Sequence, residues 1–308
     1  MFEGFLSIPR AACVAAAIAL VGGCVPRERV VAFKNEGDAG GGGAGGVAGA
    51  GGPFGAPTPF AGLLDPTDLV QDPSLSPDEL EIYFAAVKNG TYDIWMSARP
   101  AVGQPWRAAV PVAELSTASD DYEPDLSADG LTLHFSSDRP NTSPFRIWVS
   151  HRGSRSDPWG VPQPVDLGMS RSDRGPTMDA RGLTLVFVSE PSQVDLELYL
   201  ATRSSPTAAW GPPRSLDEIN SPAFDWDPGL FRGGLGLVFA SRRDRLNDAS
   251  HLYETSRSSE GSRFSPPRPL VELNGARSEG DPWLSDDGRH IVFASERTGV
   301  SRLYEAWR

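Results

Sequence analysis

The sequence predicts an all-β protein, a closed five-bladed β-propeller of four-stranded blades with the last blade completed by the N-terminal strand. Three observations predict it. One phrase, x-Pro-x-[Leu/Met] followed by a turn and an apolar run closing on Phe, begins at Asp72, Glu123, Gly175, Asp227 and Asp281, at intervals of 51 to 54 residues. Units of this size at a fixed period bury their apolar faces by stacking on one another. Prolines recur in the first and last strands of each unit and are missing from the cores of the two between. The last repeat stops one strand short, and a segment resembling the missing strand stands at the other end of the chain.

Taken in chain order, the first element is a leader. Ala11–Val21 is an apolar run within the roughly 7–15 residues of a signal-peptide core and short of the ~20 needed to span a bilayer. Leu20-Val21-Gly22-Gly23-Cys24 follows: an aliphatic residue, two small residues and a cysteine. This resembles a bacterial lipobox. The resemblance implies that residues 1–23 are a lipoprotein signal peptide and that Cys24 carries the lipid after cleavage. Several acyl chains anchor firmly where one is marginal. Val25, standing where an inner-membrane retention signal has Asp, implies the outer membrane, with the protein facing the periplasm or the cell surface. Residues 24–53 are rich in Gly and Ala. They cannot bury enough surface to fold and read as a tether, with an r.m.s. reach of roughly 30 Å.

Residues 54–308 carry the propeller. The inner strand of each repeat is the phrase itself: Pro73–Leu75, Pro124–Leu126, Pro176–Met178, Pro228–Leu230 and Pro282–Leu284. The second is a β-branched and aromatic run: Ile82–Ala85, Leu131–Ser136, Leu183–Val188, Leu235–Ala240 and Ile291–Ala294. The third centres on an aliphatic–aromatic pair: Ile94-Trp95, Ile147-Trp148, Leu198-Tyr199, Leu252-Tyr253 and Leu303-Tyr304. The outer strand follows an aromatic residue (Trp106, Trp159, Trp210, Phe264) and runs to a Leu or Ile. Proline cannot donate to a sheet ladder and belongs on edges, which makes the first strand the channel-lining edge and the fourth the outer one. Phe54–Leu63 parallels Trp159–Leu167 and supplies the outer strand that the last repeat lacks.

The runs Leu126-Ser127-Ala128-Asp129-Gly130 through Arg139 and Leu284-Ser285-Asp286-Asp287-Gly288 through Arg297 resemble PD40, the WD40-like repeat in the propeller of the translocation protein TolB. The likeness covers residues 72–308. Repeats three and four depart from it at Asp179-Ala180-Arg181-Gly182 and Phe231-Arg232-Gly233-Gly234. Glycine closes four of the five turns, as a positive-φ hairpin position favours, with Glu79 in the first. TolB's additional α/β domain has no counterpart in this sequence, so the resemblance implies the fold and a TolB-like scaffold, not TolB's particular role.

With 40 acidic and 28 basic residues the net charge is −12, which argues against nucleic acid and anionic lipid surfaces as partners. Two cysteines, both near the N-terminus, offer no disulfide framework. An acid precedes the proline in four repeats (Asp72, Glu123, Asp227, Asp281). Two positions earlier stand Asp121, Asp173, Asp225 and Glu279. These carboxylates are expected near one channel mouth, either as a site for a cation or a partner's basic residues or as plain turn caps. Trp283 breaks the repeat, standing where the others have Ser, Asp, Thr or Gly, and is the candidate ligand contact. Arg99, Arg152, Arg203 and Arg257 read as a binding ring or, more plainly, as partners of a neighbouring blade's acids. The four histidines occupy non-equivalent positions, with His134 expected as a hydrogen-bonded core residue, and no metal or other cofactor is implied. The function expected is a lipid-anchored, non-enzymatic module, monomeric in its head, that binds an envelope protein or glycan. The alternative is a carbohydrate-active enzyme of the glycoside hydrolase type, which needs two carboxylates in unequal environments.

Overall fold

Twenty strands make five antiparallel four-stranded sheets, with no helix among the described residues. The computed structural model describes residues 52–60, 62–63, 69–88, 90–139, 144–192, 195–244 and 249–308. Cys24, the leader and the tether as far as residue 51 lie outside them.

The first blade is β2 (Val70–Leu75), β3 (Glu81–Lys88), β4 (Thr91–Ala98) and β5 (Val110–Pro111). The second is β6 (Asp121–Leu126), β7 (Thr132–Ser137), β8 (Arg146–His151) and β9 (Gln163–Pro164). The third is β10 (Asp173–Met178), β11 (Thr184–Ser192), β12 (Asp195–Thr202) and β13 (Arg214–Ser215). The fourth is β14 (Asp225–Phe231), β15 (Gly236–Ser241), β16 (His251–Ser256) and β17 (Arg268–Pro269). The fifth joins β18 (Glu279–Leu284), β19 (His290–Ser295) and β20 (Arg302–Trp307) to β1 (Thr58–Pro59) from the N-terminal side. β1 pairs with β20 through Thr58–Glu305 and Pro59–Tyr304, and the Gly55 N–H donates to the Trp307 carbonyl at 2.7 Å. The ring closes as the sequence predicts.

The second strands form the core. Phe84, Phe135, Phe187, Phe239 and Phe293 occupy one repeat position and are all fully buried. Each lies opposite the aromatic residue of the third strand: Trp95, Trp148, Tyr199, Tyr253 and Tyr304. Both faces of these strands are covered by neighbouring blades, which explains their near-continuous apolar character.

The arginine after each third strand is a repeated clamp. Arg99, Arg152, Arg203, Arg257 and Arg308 stack over Trp106, Trp159, Trp210, Phe264 and Phe54 at 4.5, 4.6, 4.3, 4.8 and 4.4 Å. Each Nε donates to the carbonyl of the first hairpin turn, at Glu79, Gly130, Gly182, Gly234 and Gly288. Arg152 pairs with Glu81 and Arg308 with Glu254, both on the preceding blade, while Arg99 pairs with Glu79 of its own. The turn position expected at positive φ has it in every blade: Glu79 at 55°, Gly130 at 73°, Gly182 at 67°, Gly234 at 85° and Gly288 at 75°.

The inner strands differ from the sequence reading. They begin about three residues earlier than the proline, and each carries a bulge around it, between Gln71 and Ser74 in β2 and at the matching place in β6, β10, β14 and β18. The residue before the proline is the bulged one, with φ of 54° at Asp72, 53° at Glu123, 58° at Gly175, 49° at Asp227 and 50° at Asp281. A bulge re-aims one side chain away from the ladder. Here it places the acid on the channel.

Candidate functional site at the channel mouth

Asp72, Glu123, Asp227, Asp281 and Trp283 all line one space at the propeller axis, about 130 Å³ in volume, together with Gly175. The bulges bring them there, and the same geometry links them around the axis. The Glu123 N–H donates to Asp72 Oδ2 at 3.3 Å, the Gly175 N–H to Glu123 Oε2 at 2.7 Å, and the Asp281 N–H to Asp227 Oδ2 at 3.1 Å. The Asp72 N–H faces the Asp281 carboxyl. Each acid thus accepts from the backbone of the next blade. Gly175 has no side chain to pass on, so the circuit is open between the third and fourth blades.

A second circuit runs one layer along the same strands. Ser74 Oγ accepts from the Leu126 N–H at 2.9 Å, Asp125 Oδ2 from Met178 at 3.0 Å and Thr177 Oγ1 from Leu230 at 3.0 Å. The matching residues of the last two blades are Gly229 and Trp283, and neither offers a side-chain oxygen. The first circuit is therefore open between the third and fourth blades, and the second from the fourth blade through the fifth to the first. Trp283 stands there half-buried, edge-on to His290 at 5.9 Å.

Burial first, and then mutual repulsion, drives the carboxyls of Asp72, Asp227 and Asp281 well above the ordinary carboxylate range. Burial also raises Glu123, although Arg174 opposes it. Asp125, buried, is pushed up to about 8. Asp281 contacts both Asp227 and Asp72, side chain to side chain. Carboxyls held this close do not all ionise, because like charges in a low-dielectric site favour keeping protons.

The second row of acids takes the plainer role. Asp121 and Asp225 are fully buried. Each accepts from a loop N–H and hydroxyl (Thr117, Ser221) and pairs with an arginine, Arg139 at 2.5 Å and Arg243 at 2.6 Å. Glu279 repeats the motif with Gly275 and Arg297, and Asp173 accepts from Ser189. Asp121, Asp225 and Glu279 fasten the connections into β6, β14 and β18, Asp173 ties β10 to β11, and none of the four lines the channel space. Among the described residues, no group of three or more His, Cys, Asp or Glu is placed to hold a metal ion.

His134 differs from its expectation. It is buried at 3% exposure, but its Nδ1 has no hydrogen-bond partner. Burial holds it down at about 3, so the ring is neutral. Its outlying identity among valines was visible in the sequence; the missing partner was not.

Fold and channel together define an all-β, five-bladed propeller whose axis is lined by carboxyls. No protein-family model matches the chain, and no curated protein matches it. Solved structures share its architecture. An endo-arabinase from Bacteroides thetaiotaomicron VPI-5482 is similar at TM-score 0.57 and 14% identity, over 81% of this chain and 97% of that one. The catalytic domain of the Coprinopsis cinerea GH62 α-L-arabinofuranosidase gives TM-score 0.56 and 9% identity, over 83% and 96%. TolB from Acinetobacter baumannii gives TM-score 0.43 and 20% identity, over 69% of this chain and 47%, about half, of its own. At these identities the fold is what is shared.

Proposed function

We propose that this protein is a non-enzymatic binding propeller, held to a bacterial outer membrane by a lipid on Cys24, that takes a basic side chain of an envelope protein into its channel mouth. The observation that carries the reading is the break of the second circuit at the fourth and fifth blades, where Gly229 and Trp283 offer no side-chain oxygen. There Trp283 takes the place that Ser74, Asp125 and Thr177 fill with hydrogen-bonding side chains, beside Asp227 and Asp281, which remain linked through the Asp281 N–H. An indole beside two carboxyls is the chemistry that recognises an ammonium or a guanidinium. The channel space, about 130 Å³, lies below the roughly 300–1,000 Å³ of pockets that engulf small ligands. That size suits a side-chain end better than a glycan. The same circuits weigh against glycoside hydrolysis, because the carboxyls are spent on backbone N–H groups and on each other instead of holding two separate roles.

Capture of a basic envelope partner by the full-length protein tests this. Asp227→Asn with Asp281→Asn is expected to abolish capture with the fold intact, and undiminished capture would sink the proposal. Capture is expected to strengthen as pH rises through the raised carboxyl values, since the bound cation needs them ionised. Sugar release from a polysaccharide panel would establish the hydrolase alternative instead.

A further inference from the structure

The clefts between blades are built alike, and one of them is left unfinished. In each, the clamp arginine is held by its aromatic stack and its Nε bond. Three of the five also have a carboxylate: Glu79 for Arg99 at 3.1 Å, Glu81 for Arg152 at 2.7 Å and Glu254 for Arg308 at 2.8 Å. Arg257 lacks one, and its Nη2 is buried without a hydrogen-bond partner, but it is 5% exposed and its Nη1 donates to the Glu260 carbonyl at 2.9 Å. Arg203 makes no ion pair, the Asp179 carboxylate acting on it only from a distance, and it is half-exposed. The positions that supply Glu81 and Glu254 in the sister clefts are Thr132 and Val149 here. Beyond its bond to Gly182 and its stack on Trp210, Arg203 reaches Met178 Sδ at 3.8 Å.

In front of Arg203, between the second and third blades, opens a cleft of about 830 Å³, inside the size range of small-molecule sites. His134 lines it, buried, with the unpartnered Nδ1 described above. The matching residues of the other blades, Tyr83, Val186, Val238 and Val292, are apolar or aromatic. The acids that also line the cleft are committed. Asp129 accepts from Ser127 and Leu131, Asp166 from Gly168, and Asp179 from Leu183, Thr184 and Arg181. The cleft is lined as well by Arg181, paired with Asp179 and Glu260, and by His151, whose Nδ1 meets Thr132 Oγ1 at 3.0 Å. That leaves Arg203 as its guanidinium without an ion pair, alongside the buried His134 imidazole.

We propose that this cleft binds a small organic molecule through a single carboxylate, seated on Arg203 and hydrogen-bonded by His134. The ligand's carboxylate takes the place that Glu254 fills for Arg308. A guanidinium presents parallel donors that match a carboxylate. A dianionic phosphate fits less well, because Asp129 and Asp166 also line the cleft and Arg203 is its guanidinium without an ion pair. Val149, Val165, Pro212 and Pro213 offer an apolar lining for the body of the ligand.

The test uses the full-length protein and ligand-observed NMR, with digalacturonate, N-acetylalanine and benzoate as probes and benzamide and inorganic phosphate as controls. At least one carboxylate is expected to bind saturably, and which one distinguishes a sugar acid from a peptide-like or aromatic acid. Arg203→Met is expected to weaken it at least tenfold and His134→Val severalfold. The decisive variant is Val149→Glu, which installs the carboxylate the sister cleft has. It is expected to abolish binding while leaving the melting temperature equal or higher. The proposal is overturned if none of the three carboxylates binds, if benzamide or phosphate binds as well as they do, or if Val149→Glu folds and still binds. Channel-mouth variants are expected to leave this binding unchanged, so the two sites fail independently.

Discussion

Asp281 holds a backbone conformation and a protonation state that both cost energy. Its φ of 50° lies in the left-handed region, which Asp tolerates better than most residues, and it precedes a proline, which further disfavours helical angles. Its carboxyl is raised by burial and by Asp72. A carboxyl whose folded-state value lies above the unfolded one contributes stability at low pH and loses it as pH rises through the folded value. Asp281→Asn is therefore expected to raise the melting temperature at pH 7.5 and leave it nearly unchanged at pH 4.5, while capture of the basic partner is lost. Thermal melts at the two pH values check this, and a variant less stable at pH 7.5 would contradict it. Stability given up for a charged site is a common trade in functional proteins. Glu123 adopts the same backbone angle without Asp's tolerance for it. Gly175 avoids the strain altogether and in doing so opens the circuit.

At the scale of elements, ring closure rests on a two-residue strand and its flanks. Phe54, at 4% exposure, lies in the core cluster of the last two blades and under the Arg308 guanidinium. Phe54→Ala is expected to cost about 3–5 kcal/mol, the range for emptying a buried aromatic site, and to raise hydrogen exchange in β20 before other strands. Denaturant unfolding with exchange measurements checks it; a change below about 1 kcal/mol would mean that the strand closes nothing. The joint between the fifth and first blades adds a titratable latch. His290 stacks on Trp307 at 4.4 Å and contacts Glu79 at 3.0 Å and Glu305 at 3.2 Å. Burial disfavours its charge, but the two acids outweigh it and raise it above 6.5. The latch is thus fully present below that value and is lost as pH rises through the folded one.

For the whole molecule these groups set the shape of the pH–stability curve. Asp78, Asp129 and Asp287 lie below their ordinary 3.8, and Glu79 below 4.5. They contribute stability above those values and lose it as pH falls through the folded ones. The channel carboxyls and His290 act at the opposite end. Stability is expected to peak at mildly acidic pH, above the ordinary carboxylate range and below neutrality; a melting temperature that climbs steadily to pH 8 would show that the channel carboxyls are ionised in the resting protein. Cys24→Ser is expected to move the protein from the membrane to the soluble fraction, with the propeller's melting unchanged. Membrane fractionation checks it, and unaltered partitioning would remove the anchor from the proposed function.

The blade count, the four-strand unit and the closing segment are properties of the sequence by itself. They follow from local pattern: proline where no ladder N–H is needed, an apolar run closing on Phe once per repeat, and the segment from Phe54 to Leu63 that parallels Trp159–Leu167. The positions of Asp72, Glu123, Asp227 and Asp281 near one another follow from the repeat as well. What each carboxyl does was decided by tertiary structure, because their hydrogen-bond partners belong to the next blade, some 50 residues away. The two acid rows look equivalent in sequence, yet the bulge turns one into the channel and leaves the other buried in the connections. The cleft at Arg203 shows the same division. Thr132 and Val149 are unremarkable strand residues until the packed blades reveal that an acid is missing there, because an unpaired charge is defined by what surrounds it in space.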